Sequence, residues 1–97
     1  MNMQAMLKQA QSLQKNMMND KEKIDKMEFE GSSSLVKVVV TGDKRIKSVS
    51  IDKSDFSSDD LDMLEDMFLV ATNNALSKVD EETEKVFGKY GKVPGLF

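Results

Sequence analysis

The densest reactive chemistry in this 97-residue chain is a run of carboxylates: Asp59, Asp60, Asp62, Glu65 and Asp66. Such groups can hold Mg²⁺ or Ca²⁺, or pass protons to and from a substrate. The calcium-loop pattern fails here, because no Gly stands sixth from any suitable Asp. Asp59 and Asp60 instead follow Ser57 and Ser58. That order opens a helix, with a hydroxyl to cap and acids at the positive end of the dipole. Histidine and cysteine are both absent, which removes the commonest zinc, haem, triad and disulfide arrangements. Only carboxylates, lysines, hydroxyls and the single Tyr90 remain for catalysis. The chain therefore reads as a non-enzyme, with no catalytic residue, metal or cofactor assigned.

The basic residues offer different chemistry. Lys8 and Lys15 are seven apart and share one helix face with Gln4 and Gln11. Lys44, Arg45 and Lys47 cluster further on, whereas Lys21, Lys23 and Lys26 are interleaved with Asp20, Glu22 and Asp25. From pattern alone, a solvated face is the favoured reading of such surfaces. Where they bind, phosphate is the partner they suit: no aromatic platform accompanies them, and Arg45 is the only arginine, so readout of bases is not expected. The net charge of −3 weighs against nucleic acid, but it is unevenly spread. Residues 1–28 carry five Lys and four acids, 29–53 five basic residues and three acids, and 54–97 four Lys and ten acids. Screening over about 8 to 10 Å lets a basic face act apart from a distant acidic one.

The element that must position Lys8 and Lys15 is the run from Asn2 to Met27. Apolar residues recur there in two seven-residue rows: Met3, Ala10, Met17, Ile24, and Met6, Leu13, Asp20, Met27. This is a heptad seam broken once, at Asp20, and widened by Leu7 and Met18. The helix it predicts is roughly 39 Å long, against a radius of gyration of about 12 to 13 Å for a compact domain of this size. One end should overrun the body of its subunit, and a second copy is the simplest cover for its stripe. The seam predicts a homodimer through Met3, Met6, Ala10, Leu13, Met17 and Ile24. Six of the eight methionines lie in these first 27 residues, so a promiscuous protein-binding surface is the alternative.

The period then changes to two. Phe29 begins a short strand that breaks at the turn composition Gly31-Ser32-Ser33-Ser34. Leu35 to Thr41 and Ile46 to Asp52 read as strands joined through Gly42-Asp43-Lys44. Val36, Val38 and Val40 are expected to face the core together with Val49 and Ile51, with Lys47 on their face and Ile46 opposite. A second helix follows Ser57, with Leu61, Leu64, Phe68, Ala71, Ala75, Val79 and Val86 toward the sheet, and ends at Gly88. The prediction is a single α+β domain in the order α-β-β-β-α: a long N-terminal helix (1–27), a three-stranded antiparallel sheet (28–53), a connection and packed helix (54–88) and a tail (89–97). No run is long and apolar enough for a membrane span, and no leader is evident, so a cytoplasmic place is expected.

Several stretches resemble the YbaB/EbfC family of bacterial nucleoid-associated proteins. These are Met6-Leu7-Lys8-Gln9-Ala10-Gln11; Leu35-Val36-Lys37-Val38 through Lys47-Ser48-Val49-Ser50-Ile51-Asp52; Met63-Leu64-Glu65-Asp66 with Ala71-Thr72-Asn73-Asn74-Ala75-Leu76; and Val93-Pro94-Gly95-Leu96. They cover nearly the whole chain in order. The Ser-rich turn before Leu35 departs from a family pattern richer in Gly. The resemblance implies a homodimer with long helices projecting like tweezer arms, double-stranded DNA as partner with low sequence specificity, and a place in the cytoplasm at the nucleoid. It brings no catalytic residues. Charge placement nominates Lys8, Lys15, Lys44, Arg45 and Lys47 for the DNA contact. The alternative is a protein-interaction adaptor that uses the Met-rich helix or the acidic second helix.

Overall fold

A computed structural model describes residues 2–52 and 56–91. The expected end of the sheet at Lys53, the start of the connection at 54–55 and the tail from 92 onward lie outside them. Helix α1 spans Met3–Lys26, uninterrupted by Gly or Pro. Asn2 caps it, its side-chain oxygen accepting from the Gln4 N–H at 3.0 Å, and Lys23 and Lys26 sit in the last turn beside the negative end of the dipole. Strands β1 (Glu28–Ser33), β2 (Val36–Thr41) and β3 (Ile46–Ile51) form one antiparallel sheet in the order β1-β2-β3. After a 3₁₀ turn at Ser58–Asp60, helix α2 runs Leu61–Phe87, and a second 3₁₀ turn, Gly88–Tyr90, extends it. The element order is the predicted one.

Two details of the sheet differ from expectation. β1 continues through Gly31, Ser32 and Ser33, and the reversal falls at Ser34 and Leu35, where Ser34 takes φ 51°. Gly31 belongs inside the strand because α2 lies against it: a Cβ there would meet the Ala71 carbonyl oxygen and the Ala75 nitrogen. Composition marked a turn, but the glycine serves helix–strand contact. In the second pair, a bulge between Val39 and Val40 shifts the register, so that Val40 faces Ile46, Val38 faces Val49 and Val36 faces Ile51. Ile46 therefore joins the face of Val49 and Ile51. That face is not buried on β3: Ile46, Val49 and Ile51 are 49%, 45% and 47% exposed. α2 packs mainly on β1 and β2.

The core is correspondingly narrow. Val36, Val38 and Val40 of β2 pack with Ala71, Ala75 and Val79 of α2, and Phe29, Leu64, Met67 and Leu76 close the edges. Each fully buried valine contributes on the order of 1.5 kcal/mol or more. Leu61 and Phe68, expected to face the sheet, remain exposed, as do Met63, Leu69 and Val70. A second, smaller cluster joins α1 to the end of α2 through Met17, Ile24 and Phe87, with Val86 and Tyr90 alongside. Elsewhere α1 is bare: residues 2–16 are exposed throughout. The radius of gyration is 19.2 Å and the extents are 70 × 19 × 16 Å. A compact chain of this length has a radius near 12 to 13 Å, and the projecting arm accounts for much of the excess.

Candidate nucleic-acid interface

The two groups of nominated cations sit in unlike surroundings. Lys8 and Lys15 stand on the bare part of α1, about halfway around the helix from Met17. Among the described residues no carboxylate forms an ion pair with either. The interleaved lysines further along resolve differently. Lys21 pairs with Asp25 at 3.1 Å and Lys26 with Glu22 at 3.3 Å, one turn apart along the helix. Lys23 has no such ion pair among the described residues. It continues the exposed row Lys8–Lys15–Lys23 at spacings of seven and eight, a residue that mixed charge had hidden in the sequence.

The hairpin cations, by contrast, all have acidic partners. Lys44 reaches Asp80 of α2 at 3.2 Å, Arg45 contacts Asp43 at 3.4 Å, and Lys47 contacts Glu28 at 3.0 Å. All six groups are largely exposed, so each pair is weak on its own. A phosphate approaching this hairpin must nevertheless displace a carboxylate or approach it closely. Lys44 also shares a cleft of about 440 Å³, floored by Ile24 and Phe87, with Asp25, Asp43, Asp80 and Glu84. Folding thus brings the acidic second helix up to the hairpin and leaves the arm clear of it.

The arm is held by a contact that spacing did not reveal. The Tyr90 hydroxyl donates to the Asp20 carboxylate at 2.6 Å, and Lys89 reaches the same carboxylate at 3.1 Å. Lys89 also lies 5.1 Å from the centre of the Tyr90 ring, whose centroid is 5.9 Å from that of Phe87. Hydrogen bonding from Tyr90, then from Lys89, lowers the Asp20 pKa below its ordinary value, and bonding to Asp20 raises those of Tyr90 and Lys89. The break in the heptad at Asp20 is therefore the point where α1 is latched to the end of α2. Of the six seam residues, Met17 and Ile24 are covered by Phe87 within the chain, while Met3, Met6, Ala10 and Leu13 are exposed.

The acidic run serves local structure where the contacts can be followed. The Asp60 carboxylate accepts from the Ser57 N–H at 3.0 Å and from its hydroxyl at 3.3 Å, closing the turn that starts α2. Among the described residues no three acidic side chains come together as a metal site, and no helix is long and apolar enough to cross a membrane.

Comparison with known proteins gives these surfaces a context. The sequence pattern of the YbaB/EbfC DNA-binding family matches residues 1–93. A nucleoid-associated protein of Ligilactobacillus salivarius is 46% identical over 99% of this chain and 95% of its own length. One from Enterococcus faecalis is 41% identical over 98% of this chain and 94% of its own. A third, from Streptococcus suis, is 43% identical over 97% of this chain and 98% of its own. With a family match over almost its whole length, and relatives this similar from end to end, the chain belongs to the YbaB/EbfC family of nucleoid-associated DNA-binding proteins.

Proposed function

We propose that the chain binds double-stranded DNA with low sequence specificity, as a homodimer, at the nucleoid in a bacterial cytoplasm. The observation that carries this reading is the pair Lys8 and Lys15, exposed on the part of α1 that stands away from the acidic helix, with Lys23 extending the row where α1 meets the end of α2. Lysine is a compact point charge, suited to phosphate and poor at distinguishing bases. The lone Arg45, which could read guanine bidentately, is engaged by Asp43. Lys44 and Lys47 take a secondary part, because their acidic partners must yield first.

A second copy belongs to this reading. β3 has an open edge and carries the half-exposed Ile46, Val49 and Ile51, and α2 leaves Leu61, Phe68, Leu69 and Val70 uncovered. Together these make a larger apolar surface than the four uncovered seam residues of the arm, and a stable dimer needs such area. We place the dimer contact there. Val49→Asp should then give monomers in sedimentation, whereas Leu13→Asp should leave the dimer whole. The reverse result would return the interface to the heptad seam.

Fluorescence anisotropy with two unrelated duplexes across a salt series tests the DNA contact. Phosphate binding predicts similar affinities and a log–log salt slope of several units, about 0.9 for each phosphate neutralised. The competing adaptor reading, through the Met-lined arm or acidic α2, predicts no DNA binding at low salt and partner docking that hardly responds to salt. Strong preference for one duplex would overturn the low-specificity reading.

A further inference from the structure

The sheet has two outer edges, at β1 and at β3, and α2 treats them differently. The β1–β2 hairpin turns through two residues, Ser34 and Leu35, so the flanking pair Ser33 and Val36 exchanges ladder bonds. Along β1 the backbone groups then alternate between β2 and the outside. Glu30 and Ser32, opposite Val39 and Lys37, present theirs outward. An outer row of this kind is a template for another strand. Two side chains of α2 already occupy it. The Asn74 amide donates to the Ser32 carbonyl at 3.3 Å, and the Lys78 ammonium donates to the Glu30 carbonyl.

The spacing lets both bonds form at once. Residues four apart on a helix are separated by about 6 Å along its axis, and residues two apart on a strand by about 6.6 Å. Asn74 and Lys78 therefore match Ser32 and Glu30 in step, with α2 running opposite to β1. Asn74 is short, and it reaches because the helix lies close. At Gly31, between the two contacts, a Cβ would meet the Ala71 carbonyl oxygen and the Ala75 nitrogen. At the other edge all six residues of β3 are exposed, and among the described residues no side chain bonds their backbone. We propose that Asn74 and Lys78 close the β1 edge to strand addition, so that another copy of this chain can extend the sheet at β3 alone. Contact of one copy's β3 with the next copy's β1 is head-to-tail and can repeat from copy to copy, whereas β3 against β3 closes as a pair. Covering β1 holds association to the closed form. The proposal concerns the edge opposite the dimer contact placed above, so it stands whether or not that contact is correct, and DNA binding has no part in it.

The variant Asn74→Ala/Lys78→Met removes both donors from exposed helix positions. In sedimentation across a concentration series, its weight-average mass should exceed the parent's by about twofold or more. The Glu30 and Ser32 amides, which face the edge, should exchange more slowly as the mass rises. An unchanged mass would overturn the proposal, and so would growth that leaves those two amides exchanging as in the parent. Asn74→Gln/Lys78→Arg keeps a donor at each position and should sediment as the parent does. If that variant assembles too, disturbance of α2 rather than loss of the two bonds is the cause, and the proposal falls.

Discussion

The arm and the body of this protein each carry a regular apolar row, but the two rows meet different fates. In the body, every second residue of β2 is a buried valine, and α2 answers with Ala71, Ala75 and Val79. Small side chains let that helix approach Gly31 until backbone meets backbone. In the arm, an equally regular apolar row is covered only from Met17 onward, by Phe87 and its neighbours. Periodicity tells which face is apolar. Whether that face is buried depends on how far the covering element extends. The same contrast governs charge, since the hairpin lysines acquire acidic partners from the fold while Lys8 and Lys15 do not.

The largest effect should come from the body. Gly31→Val forces a side chain into the α2 backbone and should cost about 4 kcal/mol or more, enough to unfold a marginal domain. Denaturant melts that stay within about 1 kcal/mol of the parent would show that the helix can shift away. Phe87→Ala strikes the junction and should cost about 3 kcal/mol, by analogy with buried aromatic truncations. Its signature should be faster amide exchange in residues 17–24 while β2 stays protected. Uniform loss across both regions would mean that arm and body fold as one unit.

The latch gives a smaller, pH-dependent effect. Asp20 has a lowered pKa in the folded chain, so its contribution is present above the ordinary carboxylate value of 3.8 and is lost as pH falls through the folded value. Tyr90 and Lys89 have raised values, so their share is lost at the alkaline end, above about pH 10. Tyr90→Phe should flatten the acid limb of the stability curve and lower the midpoint less than Phe87→Ala does. An acid limb identical to the parent's would remove the latch from the account.

The smallest stability change is expected where the functional change is large. Lys8→Glu/Lys15→Glu should leave unfolding within about 0.5 kcal/mol of the parent, as exposed substitutions usually do. DNA affinity should fall tenfold or more, equally on unrelated sequences, with a smaller salt slope. Lys44→Gln/Lys47→Gln should weaken binding less, because those cations are already partly neutralised. Equal losses from both pairs would erase the distinction between arm and hairpin.

Local sequence determined a good deal. The gap-free heptad run made α1, alternating valines made β2, and Ser57 with Asp60 opened α2, because each depends on neighbours within one turn or one strand. The overhang followed from length alone, since a helix of that length exceeds the width of a body this small. Tertiary structure decided the rest. Gly31 looked like a turn until α2 was placed on it, and Ile46 changed face through a bulge that alternation does not encode. Asp20 looked like a flaw in a seam until Tyr90 arrived from seventy residues away. Which lysines stay unpaired was settled in the same way, because the carboxylates that meet Lys44 and Lys47 come from α2 and from β1. Pairing across such distances depends on where helices end and cross, and no single stretch of the chain contains that information.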